Sequence, residues 1–118
     1  MVVHITQDLM MSSNASAAAR AAGHKFKFVA SWERADHFIR ENEVQFLIID
    51  LQTSGIDIEQ IANGLAAIDE SQRPKTIAYA QHVEVELLAA AQSASFDRVL
   101  TRGQAHSGMT QLLGAQGA

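Results

Sequence analysis

Apolar residues run without a break from Phe46 to Ile49 and stop at Asp50. An alternating run would suit a strand with one wet face. A continuous run bounded by polar residues suits a strand covered on both faces, as in a parallel sheet between helix layers. A carboxylate closing such a strand stands at its carboxyl end, where open α/β sheets form their ligand crevice. The other segments fit round this one. Val2 to Thr6 is short and β-branched and reads as a first strand. Met11, Ala15, Ala18, Ala19 and Ala22 recur at helical spacing, with Ser12, Ser13 and Asn14 as candidate caps and Gly23 just past the end. Lys25 to Ala30 alternates charge and apolar residue, the pattern of a half-exposed edge strand.

Ser31 then caps a helix whose stripe is Trp32, Ala35 and Ile39, broadened by Phe38 and ending near Asn42. Leu51 to Gly55 is read as a polar loop. Ile58, Ile61, Leu65 and Ile68 give the clearest amphipathic helix, weakened by about 1 kcal/mol at Gly64. Lys75 to Ala80 reads as a fourth strand, Val83 to Ala94 as a Leu/Ala-rich helix and Arg98 to Leu100 as a fifth strand. The pattern predicts a last, weak helix from His106 to Leu113 and a fraying tail from Gly114 to Ala118. Strand and helix alternate five times through short connections. That order predicts one α/β domain over residues 1–118, with a parallel sheet, helices on both faces and right-handed crossovers.

Composition narrows the function classes. A chain of 118 residues is one ordinary domain, and a hydrophobic share of 47% is that of a globular protein. The net charge is −4, with no basic block, so nucleic acid is not an expected partner. The absence of cysteine excludes thiolate catalysis and Cys-ligated zinc. His4, His24, His37, His82 and His106 show no metal-ligand spacing. The start, Met1 and then a strand, lacks the look of a secretory signal, and no stretch reaches membrane-spanning length. The expected compartment is the cytoplasm. A Gly-rich P-loop ending in Lys is absent, and Gln7-Asp8-Leu9-Met10-Met11 is not a flavin phosphate loop. Met10 and Met11 read as helix-entry core rather than as an exposed patch.

Val44-Gln45-Phe46-Leu47-Ile48-Ile49-Asp50-Leu51, Ala30-Ser31-Trp32-Glu33-Arg34-Ala35, Tyr79-Ala80 and Ala89 to Ser95 together resemble a response-regulator receiver domain, the phosphoacceptor module of two-component signalling. The resemblance spans nearly the whole chain. It implies a flavodoxin-like (βα)5 sheet in the order 2-1-3-4-5, with Asp50 at the phosphoacceptor position and Ala80 as the small residue that follows Tyr79 at the end of strand 4. Against the family pattern, Thr6 and Gln7 stand for the acidic pair and Asp8 follows one place later. Tyr79 stands for the Ser/Thr of strand 4. Thr101 and Arg102 stand for the Lys-Pro after strand 5. Arg98 replaces an aromatic residue, and Thr53-Ser54 replaces Met-Pro.

Transfer of a phosphoryl group to a carboxylate is largely charge control by magnesium and a Lys. Asp8 and Asp50 are the two carboxylates available for a weak magnesium site, and no cofactor is otherwise required. Arg102 supplies a cation, one residue displaced and so turned to the other face if the strand continues. Tyr79 is read as filler at the crevice and a candidate docking contact; Arg98 and Arg102 as solvated surface charges. No nucleophile–base pair is visible, so the chain is not expected to be an enzyme.

The expectation is therefore a degenerate, stand-alone receiver that acts by protein–protein interaction. Its partner would be a histidine kinase or another signalling protein, or a second copy through the face of helix 4, strand 5 and helix 5. The alternatives are a working phosphoacceptor in a histidine-kinase phosphorelay, with Asp8 and Arg102 as substitutes, and an enzyme using the same crevice.

Overall fold

The computed structural model describes residues 1–114. Five strands, β1 (Val2–Ile5), β2 (Phe26–Val29), β3 (Phe46–Asp50), β4 (Lys75–Ala80) and β5 (Arg98–Thr101), alternate with five helices. These are α1 (Leu9–Ala21), α2 (Trp32–Glu41), α3 (Ile58–Ala66), α4 (Val85–Ser93) and α5 (Arg102–Gly114). All the pairings are parallel, in the order β2-β1-β3-β4-β5. This is the doubly wound sheet that the alternation and the resemblance predict.

Strand character follows position in the sheet. Every residue of the central β3 is buried, as its unbroken apolar run requires. The edge strand β2 keeps Lys27 and Phe28 in solvent. The interior divides into two cores, one on each face of the sheet. Val3, Ile5, Leu47, Ile49 and Ala78 meet Trp32, Ala35, Ile39, Ile61 and Leu65 of α2 and α3. Val2, Phe46, Ile48, Ile77 and Tyr79 meet Met11, Ala15 and Ala19 of α1 with Ala105, Met109 and Leu113 of α5. Alternate residues of each strand thus serve opposite cores.

Several boundaries differ from the pattern reading, each for a physical reason. Helix α1 starts earlier than its serines suggest because Asp8 is its N-cap. The Asp8 Oδ1 accepts from the amides of Met10 and Met11 at 3.0 and 3.1 Å. That leaves Leu9 and Met10 in solvent, each 69% exposed, so only Met11 of the methionine pair is core. Ala22 falls past the helix and is exposed. Ser31 caps α2 as expected, its hydroxyl accepting from the Arg34 amide at 3.3 Å.

Gly64 has a role beyond lowering helix propensity. A Cβ there would lie 2.4 Å from Cζ2 of Trp32, so its lack of a side chain lets α3 close on the indole. Ile68 is buried just beyond α3, and Leu51 is buried in the loop read as polar. Helix α5 starts four residues before His106, and Gly114 is its last residue; the rest of the expected tail, 115–118, lies outside the described residues. Among the described residues, no helix is long and apolar enough to cross a membrane.

Candidate functional site

The carboxyl ends of β1, β3 and β4 lie side by side, with Asp50 opposite Tyr79 and Ile5 opposite Ile49. Parallel partners share a face, so the side chains of Thr6, Asp50 and Tyr79 all start on the α1/α5 side. Asp50 is almost covered, at 9% exposure. Both of its oxygens have partners within the chain. The Thr6 hydroxyl donates to Oδ2 at 2.7 Å and the Gln52 amide donates to Oδ1 at 3.0 Å. Thr6 in turn accepts from the Asp8 amide at 2.9 Å. One hydroxyl therefore joins the two aspartates that the sequence singles out.

Asp8 reaches the crevice, but with both oxygens committed. Oδ1 caps α1, and Oδ2 receives Arg102 Nη2 at 2.6 Å. The guanidinium and the helix amides hold the Asp8 carboxyl below its usual pKa, against partial desolvation. Arg102 in turn is raised, chiefly by its bond to Asp8. Arg102 is thus an ion-paired crevice residue, unlike Arg98, which is exposed.

The one-residue displacement of Arg102 is resolved by where β5 stops. Thr101 closes the strand and starts the helix: its hydroxyl accepts from the Gln104 amide at 3.2 Å, and the Gln104 side chain accepts from the Thr101 amide at 2.9 Å. This reciprocal Thr-x-x-Gln capping box places Arg102 in the first helical turn, where the strand's alternation no longer applies. The motif stands in the sequence and would have placed the start of α5 correctly. Thr101 is thus a helix cap.

Tyr79 does not present its hydroxyl at the rim. The ring lies among the α1/α5 core residues at 1% exposure, and the hydroxyl shares a 2.8 Å hydrogen bond with His4 Nε2 on β1. The ring thus crosses β3 on its helix side, since β3 separates β1 from β4. Burial, with the charge of Asp50, raises the Tyr79 phenol well above its ordinary value. A buried residue offers nothing to a partner, so Tyr79 is filler and not a docking contact. His4 is the site residue that sequence reasoning missed. It is fully buried, its Nδ1 has no partner, and desolvation lowers its pKa to about 4. The signal was available: a His inside the β-branched run of β1, on the same face as Thr6.

Neutral amides tie the rim loops together. The Ser54 amide donates to Gln7 Oε1 at 3.3 Å, and the Gln81 amide donates to Gln52 Oε1 at 2.8 Å. Gln7 thus links the loop after β1 to the loop after β3, which Thr53 and Ser54 also build. Ala80 is buried at the end of β4, and His82 is exposed beyond it. These donors do not fit a resident magnesium ion. Such an ion asks for carboxylate oxygens free to coordinate it, whereas both oxygens of Asp8 and of Asp50 are engaged and a guanidinium is already bonded there. Among the described residues, no group of three or more His, Cys, Asp or Glu side chains is placed to hold a metal.

No protein-family model matches the chain, and no curated protein matches it by sequence. Solved structures do. The signal receiver domain of a response regulator from Bermanella marisrubri superposes with a TM-score of 0.81, covering 99% of this chain and 97% of that one at 12% identity. The fold is that of a receiver domain. A second similar receiver belongs to a sensor histidine kinase of Pseudomonas aeruginosa PAO1 and carries magnesium in its active-site cleft. Its TM-score is 0.78, with 97% and 93% of the two chains covered at 13% identity. A third, the beryllofluoride-activated NtrC4 receiver domain, is a dimer; its TM-score is 0.71, with 95% and 97% covered at 13% identity. In this fold Asp50 is the last residue of β3.

Proposed function

We propose that this chain is a degenerate receiver: a cytoplasmic, non-enzymatic signalling module that acts by protein–protein interaction and not by phosphorylation of Asp50. One observation carries the reading. The only hydroxyl that the end of β4 supplies is buried against His4, and so is withdrawn from any group arriving at Asp50. A transferred phosphoryl group brings negative charge that must be met by cations and donors at the rim. Here the donors near Asp50 already serve the carboxylate, and Tyr79 occupies the space beneath it.

The proposed working surface is the face of α4, β5 and α5, presented to a signalling protein or to a second copy. Val83 just before α4 and Val85 at its start stand exposed, and a groove of about 720 Å³, lined by no residue of α4, opens between α5 and the strands β3 to β5. The test is intact mass after incubation with magnesium and a small phosphodonor such as acetyl phosphate, with Asp50→Asn as control. The expected result is no phosphate adduct. A gain of one phosphate that Asp50→Asn abolishes would replace this reading with that of a working phosphoacceptor fed by a histidine kinase.

A further inference from the structure

The groove beside α5 has a chemistry of its own. Strand register sets Phe46 beside Lys75, Ile77 beside Arg98 and Tyr79 beside Leu100, so these side chains share the α1/α5 face of the sheet. Helix α5 buries one stripe on that face, Ala105, Met109 and Leu113. The neighbouring stripe, Gln104, Gly108, Gln111 and Leu112, forms a wall of the groove, and Phe46, Ile77 and Leu100 form its floor. Gly108 keeps that wall low, because a Cβ there would meet no atom within 4 Å. Lys75 and Arg98, the first residues of β4 and β5, stand at the end remote from Asp50. Among the described residues neither has an ion pair. Asp97, the one acid in the lining, has its Oδ2 engaged by the Thr76 amide at 2.7 Å and hydroxyl at 3.0 Å. The groove therefore sets a net positive charge over an apolar floor.

We propose that this groove binds a small amphipathic carboxylate, its apolar tail on Phe46, Ile77 and Leu100 and its anionic head between Lys75 and Arg98. The two cations stand on adjacent strands two residues out of register, which sets their Cα atoms roughly 8 Å apart. Both side chains are long enough to turn their heads to one carboxylate while their stems lie along the apolar floor. The volume, about 720 Å³, is that of a small-molecule site. Two cations against one engaged acid favour an anionic head over a neutral or cationic one. Such a ligand lies away from Asp50, so the site is independent of phosphorylation there.

The test is titration of the full chain with octanoate, and in parallel with 1-octanol, followed by amide shifts in 1H–15N NMR spectra. Octanoate is expected to bind with a Kd below about 1 mM and to shift the amides of Ile77, Leu100 and Gly108, with 1-octanol at least about tenfold weaker. Lys75→Gln with Arg98→Gln is expected to weaken octanoate at least about tenfold. Gly108→Leu, which raises helix propensity while filling the groove, is expected to abolish its binding. The same spectra report whether each variant is folded. A folded variant of either kind that binds octanoate as well as wild type overturns the proposal. So does the wild type alone, with no variant needed, if octanoate does not bind, shifts amides elsewhere, or binds no better than 1-octanol.

Discussion

The buried His4–Tyr79 pair makes acid the most informative perturbation of this fold. Folded His4 has its pKa lowered from 6.5 to about 4, because burial penalises the imidazolium. Unfolded, it takes its proton near 6.5. Below that pH the unfolded chain binds more protons than the folded one, so stability falls as pH falls. The contribution is whole above pH 6.5, declines between 6.5 and about 4, and changes no further below that. A displacement of about 2.5 pH units at about 1.4 kcal/mol per unit costs roughly 3–4 kcal/mol in full, of which about 3 is lost by pH 4. That is a large part of the 5–15 kcal/mol typical of a domain. The depressed carboxyl of Asp8 adds its own loss only as pH falls below the ordinary aspartate value of 3.8, so the two windows separate.

The assay is urea unfolding followed by the fluorescence of Trp32, the single, buried tryptophan, at intervals from pH 7.5 to 4. His4→Gln keeps a hydrogen-bonding partner for Tyr79 and removes the titration. Wild type is expected to lose about 3 kcal/mol more than His4→Gln across this range. Equal slopes for the two proteins, or a His4 ring that titrates near 6.5 by NMR, would refute the reasoning.

Two further substitutions test the packing and the backbone. Gly64→Ala gains about 1 kcal/mol of helix propensity but drives a methyl into the Trp32 ring, so the net change in urea unfolding is a loss of about 1–3 kcal/mol; a more stable variant would show that the indole yields freely. Ser95 sits at φ 64°, a left-handed conformation that costs a non-glycine residue about 1–2 kcal/mol, and Ser95→Gly is expected to raise stability by up to about 1 kcal/mol once the extra freedom of the unfolded chain is counted; a lower melting temperature would contradict this.

Legibility in the sequence followed how local the determining interaction was. The run Phe46–Asp50 gave up its burial, its strand and its place in the sheet, because continuous apolarity leaves few other structures open. The stripe Trp32, Ala35, Ile39 and the cap Ser31 were equally plain. Asp8 was harder, since one carboxylate serves both as a helix cap and as an ion-pair partner for a residue 94 positions away. The Arg102 partnership depended on the end of β5 within one residue, which Thr101-x-x-Gln104 encodes and hydrophobic periodicity does not. Gly64 reads as a weak helix residue until the neighbour that fills its empty space is known. The direction of the Tyr79 ring was beyond reach, because it is set by a histidine 75 positions earlier across an intervening strand.

Because Thr101 is at once the last residue of β5 and the cap of α5, no flexible residue separates the two. A hinge needs spare dihedrals, and this junction has none to give. A protein that seized α5 would therefore pull on the outermost strand as well, and its grip would be felt along the Ile77–Arg98 to Ala80–Thr101 ladder before anything shifted at the rim. Slowed or hastened amide exchange along that seam would then be the earliest trace of docking on this side of the molecule.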